Sequence, residues 1–229
     1  MARGWLNSQA GFAQTRGAAA AKLPAPVHAH LVGLRPEIRV YPPGTTLTRI
    51  YFAGGRYPVA WNEFRYWGPV PSARFDPHLP TPAGKPGFSH RGVMYLGKEG
   101  ITCLAEVFQL NRVIDRVWNT PYMVVFTLKD DLKLLDLTGA FATRMGASYA
   151  IHSGPRDRCR VWSRALYDAY PDINGLLYRS SMQGGEAVAL FERGMDVIPP
   201  RPDFNRPLAD QSLTDAIDRC VADLGYLKA

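Results

Sequence analysis

Gly-Val-Met-Tyr-Leu-Gly-Lys-Glu-Gly-Ile-Thr-Cys-Leu-Ala-Glu-Val-Phe, residues 92–108, decides how the rest of the chain is read. A short apolar run rich in strand formers stops at Gly97, and a helical pattern starts within a few residues. Ile101, Leu104, Ala105 and Phe108 repeat at helical spacing and mark one apolar face. Glu106 falls well off that stripe, so the core does not claim it. A carboxylate one or two turns into a helix, just after a strand carrying Tyr95, can face a cleft. Taken alone, the same pattern also fits a solvated glutamate on an amphipathic helix.

Outward from this unit the chain alternates irregularly. Towards the N-terminus, Thr48-Arg49-Ile50-Tyr51-Phe52 reads as the first strand of the folded domain. Between them, residues 54–91 form a long stretch of Gly, Pro and aromatics, too long for mere connection and therefore a candidate for function. Towards the C-terminus, the helix from 100 is expected to reach about residue 114. Strands follow at 122–128 and 132–137, joined by a turn at Lys129-Asp130-Asp131. A helix over 158–169 stops before Pro171, and strands at 175–178 and 187–191 flank a Ser/Gly-rich link. Ser212, with Asp215 three residues on, reads as the N-cap of a last amphipathic helix ending near Leu224. Because strands and helices do not alternate regularly, an α+β fold on a mixed sheet is favoured over a doubly wound one. Pro24, Pro26, Pro36, Pro42 and Pro43 mark residues 23–46 as an extended lead-in, and residues 1–22 read as weakly structured.

Bulk properties narrow the function. The 229 residues suffice for one well-buried domain with an arm, and 46% hydrophobic with 21% charged residues is ordinary for a globular protein. No tract is apolar enough to span a bilayer, so no membrane role is expected. Cys103, Cys159 and Cys220 are odd in number and widely spaced, which suggests reduced thiols and a cytoplasmic location. The net charge of +7 resembles a nucleic-acid signal until it is mapped. Residues 1–48 hold five Lys/Arg against one acid, and the remainder holds 22 against 19. Scattered arginines form no clustered patch, so no direct nucleic-acid contact is expected. His28 and His30 have no further ligand nearby, and no metal site is expected.

Four separated segments each set a polar residue in an apolar or glycine-rich frame. They are Thr48-Arg49-Ile50-Tyr51, Ser72-Ala73-Arg74-Phe75-Asp76-Pro77, Tyr95 with Leu104-Ala105-Glu106-Val107-Phe108, and Gly175-Leu176-Leu177-Tyr178-Arg179-Ser180-Ser181 running to Gly184-Gly185. In order and wording they resemble the RES domain, the toxin half of a bacterial toxin–antitoxin system, named for an arginine, a glutamate and a serine. The resemblance implies an ADP-ribosyltransferase-like fold, with a mixed or antiparallel split β-sheet, flanking helices and a cleft for NAD⁺. It divides the chain into a basic, proline-containing extension (1–45), the RES domain (46–192) and a C-terminal segment (193–229) whose helix packs on that domain. The implied activity is cleavage of the nicotinamide–ribose bond of NAD⁺, by hydrolysis or phosphorolysis, arresting growth. The alternative is protein mono-ADP-ribosyl transfer to a cellular target. NAD⁺ enters as substrate, with no metal.

Carried over by position, Arg49, Glu106 and Ser180 are the expected catalytic set, with the register of the family serine open by one residue between Ser180 and Ser181. Arg74, Tyr95, Tyr51 and Ser181 are the expected NAD⁺-binding residues. Breaking the nicotinamide–ribose bond builds positive charge on the sugar, which a fixed carboxylate stabilises. Arginine presents a planar fork of donors suited to a pyrophosphate. Tyr95 could stack on nicotinamide, and Ser180 could donate to its amide or to ribose. A toxin of this kind implies a cognate antitoxin with a helix-turn-helix region, which blocks the cleft by inserting a segment.

Overall fold

Strands form where β-branched and aromatic residues cluster, and their pairing leaves one seam open. The computed structural model describes residues 22–229; the reading of residues 1–21 as weakly structured lies outside the described residues. In chain order the strands are β1 (Ile38–Tyr41), β2 (Thr46–Phe52), β3 (Arg65–Gly68), β4 (Gly87–Gly97), β5 (Val113–Ile114) and β6 (Pro121–Thr127). They continue as β7 (Leu132–Asp136), β8 (Gly175–Arg179), β9 (Glu186–Phe191), β10 (Phe204–Pro207) and β11 (Leu227–Lys228). The helices are α1 (His28–Gly33), α2 (Gly100–Val107), α3 (Phe141–Arg144), α4 (Ala150–Ser153), α5 (Arg156–Ala169) and α6 (Thr214–Leu224).

The main sheet runs β1-β7-β8-β9-β4-β2-β6-β10, with β3 paired to β4 beside it. Only β7 and β8 run parallel within it. This is the mixed α+β arrangement expected from the sequence. β2 lies along β6 over its whole length, from Thr46↔Thr127 to Phe52↔Pro121. It meets β4 at one position alone, Thr48↔Gly97. Farther back the same edge of β4 is taken by β3, through Arg65↔Val93. Between Val93 and Gly97 no strand of the described residues occupies that edge, and the sheet parts into two blades. Tyr95 and Leu96 sit at this parting.

Three apolar clusters hold the blades. α5 buries Cys159, Trp162, Leu166 and Tyr167 against β8, β9 and α3, and burial of each large side chain contributes roughly 1.5–3 kcal/mol. A second cluster joins Leu47 and Phe126 to Leu134, Leu177 and Val188 across the sheet. The third packs α2, through Leu104 and Phe108, against Ile50, Ile114 and Ile217 of α6.

Several boundaries differ from the sequence reading. The segment 23–46, expected as an extended lead-in, is folded instead: Leu23 and Leu31 are core residues, α1 forms, and β1 pairs with β7. The Trp162 indole donates to the Pro24 carbonyl at 2.8 Å and Tyr170 to that of Leu31 at 2.8 Å. Prolines spaced along the segment obscure these anchors because they suppress any periodic pattern. The helix from 100 ends at Val107, not near 114, because Val113 and Ile114 pair with β11 instead. Ser212 does not cap α6: the helix starts after Leu213 with no side-chain cap, and Asp210 instead caps the short 3-10 turn Gln211–Leu213 that leads into it, accepting from the Ser212 amide at 2.9 Å. α6 does end at Leu224, where Gly225 adopts a left-handed conformation that glycine tolerates best.

Candidate active site

A cavity of about 480 Å³ opens where the blades part. Ile50 and Phe52 of β2, Tyr95 and Leu96 of β4, Glu106 of α2 and Arg74 of the long loop all line it. Gly97 makes the geometry possible. A Cβ there would stand 2.8 Å from the Cys103 sulfur, so only glycine lets α2 fold back this closely over the end of β4.

α2 turns Thr102 and Glu106, one helical turn apart, towards the turn that follows β8. Glu106 Oε1 accepts the Ser180 hydroxyl at 2.6 Å and the Ser181 amide at 3.0 Å. The Gln109 side chain donates to Oε2 at 3.3 Å and to the Glu106 carbonyl at 2.6 Å. Arg156, the first residue of α5, donates to Gln109 at 2.5 Å. Ser180 is nearly inaccessible, at 4% exposure. Its hydroxyl also accepts the Met182 amide at 3.2 Å, while its own amide donates to the Gly185 carbonyl at 2.8 Å. The turn is tied to α2 a second time by Gln183, which donates to Thr102 at 2.5 Å. The carboxylate is thus held by three donors from two elements, and its rotamer is fixed before any ligand arrives.

The remaining walls are aromatic and cationic. Arg74 donates to the Gly154 carbonyl at 2.6 Å and reaches the Ser181 hydroxyl at 3.5 Å. The Tyr95 hydroxyl is buried without a hydrogen-bond partner among the described residues. Burial, reinforced by the charge of Asp76, pushes that phenol well above its usual range. Tyr178 is displaced the same way by burial and then by Glu106, and packs on Phe75 with ring centroids 4.5 Å apart. The Cys103 thiol donates to the Thr48 carbonyl at 3.2 Å, and burial pushes it up to about 12, so it is no nucleophile at neutral pH. Among the described residues no group of three or more His, Cys, Asp or Glu is placed to hold a metal ion. None of their helices is long and apolar enough to cross a membrane.

Of the residues expected from the sequence, Glu106, Ser180, Ser181, Arg74 and Tyr95 come together. Arg49 and Tyr51 do not join them. Successive side chains of a strand point to opposite faces, and Ile50 and Phe52 take the cavity side of β2. Arg49 Nη1 instead donates to the carbonyls of Trp61 (2.6 Å), Glu63 (3.0 Å) and Ala60 (3.3 Å). Burial lowers this guanidinium to about 10, opposed by Glu63, and it stays a cation at neutral pH. The Tyr51 hydroxyl donates to Asn205 at 3.0 Å and its ring stacks on Tyr122. Sequence reasoning passed over Arg65, Gln109, Arg156 and Tyr178, all of which line the cavity. Tyr178 was legible as a neighbour of the Ser180 motif. The others carried no local signal.

A mixed sheet that parts beside a cavity lined by a glutamate, tyrosines and arginines, with a serine bonded to that glutamate, is the arrangement the fold builds. The RES domain model matches residues 46–209, most of the chain, and the chain belongs to the RES domain family. The match runs beyond residue 192 and takes in β10, which completes the second blade against β6. Among solved structures, the crystal structure of the M. tuberculosis MbcT-MbcA toxin–antitoxin complex aligns with a TM-score of 0.50 and 15% identity. The alignment covers 78% of this chain and 90% of that one, and shows a shared fold. No curated protein matches the sequence.

Proposed function

We propose that this protein is the toxin of a toxin–antitoxin pair and cleaves the nicotinamide–ribose bond of NAD⁺ in the cytoplasm, arresting growth. The observation that carries the reading is the Glu106 carboxylate, locked by Ser180, Ser181 and Gln109 on the wall of a cavity that also bears Arg74 and Tyr95. As the C1′–N bond lengthens, its electron pair leaves with nicotinamide and the ribose becomes oxocarbenium-like. Glu106 stabilises that charge from a prearranged position. The half-buried Tyr95 ring offers nicotinamide a stacking face, and Arg74 binds a pyrophosphate oxygen. Water or phosphate then bonds to C1′ and loses a proton. Ser180 acts through the carboxylate that it orients.

An antitoxin partner accords with the solved relative, which is a toxin bound to its antitoxin. It also accords with the apolar surface at the cavity rim. Leu110 there is 96% exposed, and Trp118, edge-on to the cavity residue Phe52, is 66% exposed. A segment inserted from a helix-turn-helix antitoxin would cover that rim.

The test incubates the purified chain with NAD⁺, with and without phosphate, and identifies products by mass spectrometry. Free nicotinamide with ADP-ribose, or with its 1″-phosphate, is expected, and its loss in Glu106→Ala. NAD⁺ left intact under both conditions refutes the reading. Labelled ADP-ribose on a protein band, with slow free turnover, assigns the same cleft to protein ADP-ribosylation.

A further inference from the structure

Arg65 is a cavity cation paired with a buried carboxylate, and the reaction above does not use it. It opens β3, lines the cavity and leaves 29% of its side chain exposed. Nη2 donates to Asp76 Oδ2 at 3.1 Å, and Nη1 donates to the Trp67 carbonyl. Asp76 is fully buried, and also accepts from the Val70 amide at 2.8 Å and from Nδ1 of the equally buried His78. His78 Nε2 lies 3.1 Å from the Arg65 carbonyl. Asp76 therefore holds the guanidinium, while the His78 ring, bonded to Asp76, lies against the Arg65 main chain. Arg49 steadies the preceding loop at Ala60, Trp61 and Glu63, from which β3 departs.

Burying a carboxylate and an imidazole is unfavourable unless they are paired and hydrogen-bonded, and Asp76 is paired with both His78 and Arg65. What they hold is a guanidinium with further N–H groups of its five-donor fork left for a ligand. A cation fixed in this way binds an anion without losing rotamer freedom on association. Arg74 stands elsewhere on the same cavity lining, so a diphosphate inside could be met by both.

We propose that Arg65 is a pyrophosphate-binding residue of this cavity, and that Asp76 and His78 are its positioning residues. The proposal rests on the NAD⁺ reading and adds to it a determinant outside the arginine–glutamate–serine set. It predicts that the anionic linker of the substrate is recognised separately from the ring that departs.

The experiment measures NAD⁺ turnover by nicotinamide release, with inhibition by ADP-ribose and by nicotinamide, for wild type, Arg65→Gln, Arg65→Lys and His78→Gln. Arg65→Gln is expected to raise KM for NAD⁺ and the ADP-ribose inhibition constant by about 10- to 100-fold, the range for losing a charge-assisted hydrogen bond. Its kcat and its nicotinamide inhibition should stay close to wild type, the signature of lost uniform binding. Arg65→Lys restores part of the affinity. His78→Gln shifts KM in the same direction by less, because the guanidinium is present but loose. Wild-type turnover with an unchanged KM in Arg65→Gln overturns this inference and leaves the NAD⁺ reading intact. Wild type that does not consume NAD⁺ overturns both.

Discussion

Glu106→Gln isolates the charge of the carboxylate from its shape. The carboxamide keeps one oxygen to accept the Ser180 hydroxyl and the Ser181 amide, now at 2.6 and 3.0 Å. Its NH₂ group faces Gln109, whose amide can turn to accept. The fold should lose on the order of 1 kcal/mol, the net worth of one neutral hydrogen bond. The loss of charge matters far more. Unit charges about 4 Å apart interact by about 4 kcal/mol at an effective dielectric of about 20, and the ribose carries only part of a charge in an open cleft. A loss of about 3 kcal/mol in the transition state corresponds to a kcat roughly 100-fold lower, since about 1.4 kcal/mol is tenfold. KM should move little, because the charge develops after binding. Nicotinamide release under saturating NAD⁺, with a thermal melt of the same sample, reads both quantities. A variant with an unchanged melting temperature and a kcat within about threefold of wild type would refute the role given to Glu106.

Four further outcomes follow from the same geometry. Ser180→Ala should lower kcat by about tenfold, whereas Ser181→Ala, which keeps its backbone bond to Glu106, should change kcat by less than about threefold in the same nicotinamide assay. Arg49→Ala should lower stability by about 1–3 kcal/mol in denaturant titration, through its three carbonyl bonds, with little effect on KM; Arg74→Ala should raise KM instead. Asp76 is raised by burial, but its bonds to His78, Arg65 and Val70 outweigh this and hold it below the ordinary carboxylate range. A depressed folded-state value contributes stability above the unfolded pKa of about 3.9, and loses it as pH falls below that; acid melts of Asp76→Asn should lack this component. Finally, iodoacetamide at pH 8 should label Cys220 before Cys103 and Cys159, which are buried, with Cys103 pushed up to about 12; peptide mapping reads the order.

Legibility tracked locality. The strand–helix unit around Gly97 and Glu106, the apolar runs of β6 to β9 and the end of α6 could be read because each repeats at its own period within one segment. Arg74, Tyr95 and Ser180 were found through motif wording and do meet in space. Arg49 lies on the face of β2 away from Ile50 and Phe52, and which face turns to the cavity depends on packing against α2, which the motif does not encode. Residues 23–46 failed because Leu23 and Leu31 are single anchors among prolines, and their value lies in contacts with α5 far along the chain. Arg65, Asp76 and His78 sit in the long segment singled out as a candidate for function, but only the pairing of β3 with β4 shows where Arg65 is placed on the cavity wall.

By itself, the order of residues determined the fold class and the helix that carries Glu106, which follow from short-range periodicity and turn chemistry, while the small set of polar side chains worth testing came from the family resemblance of its motifs. Where the sheet parts, which further arginines face the cavity and how Asp76 and His78 fix Arg65 were decided only on folding. Those features depend on strand register and long-range contacts, and register is a property of two segments together.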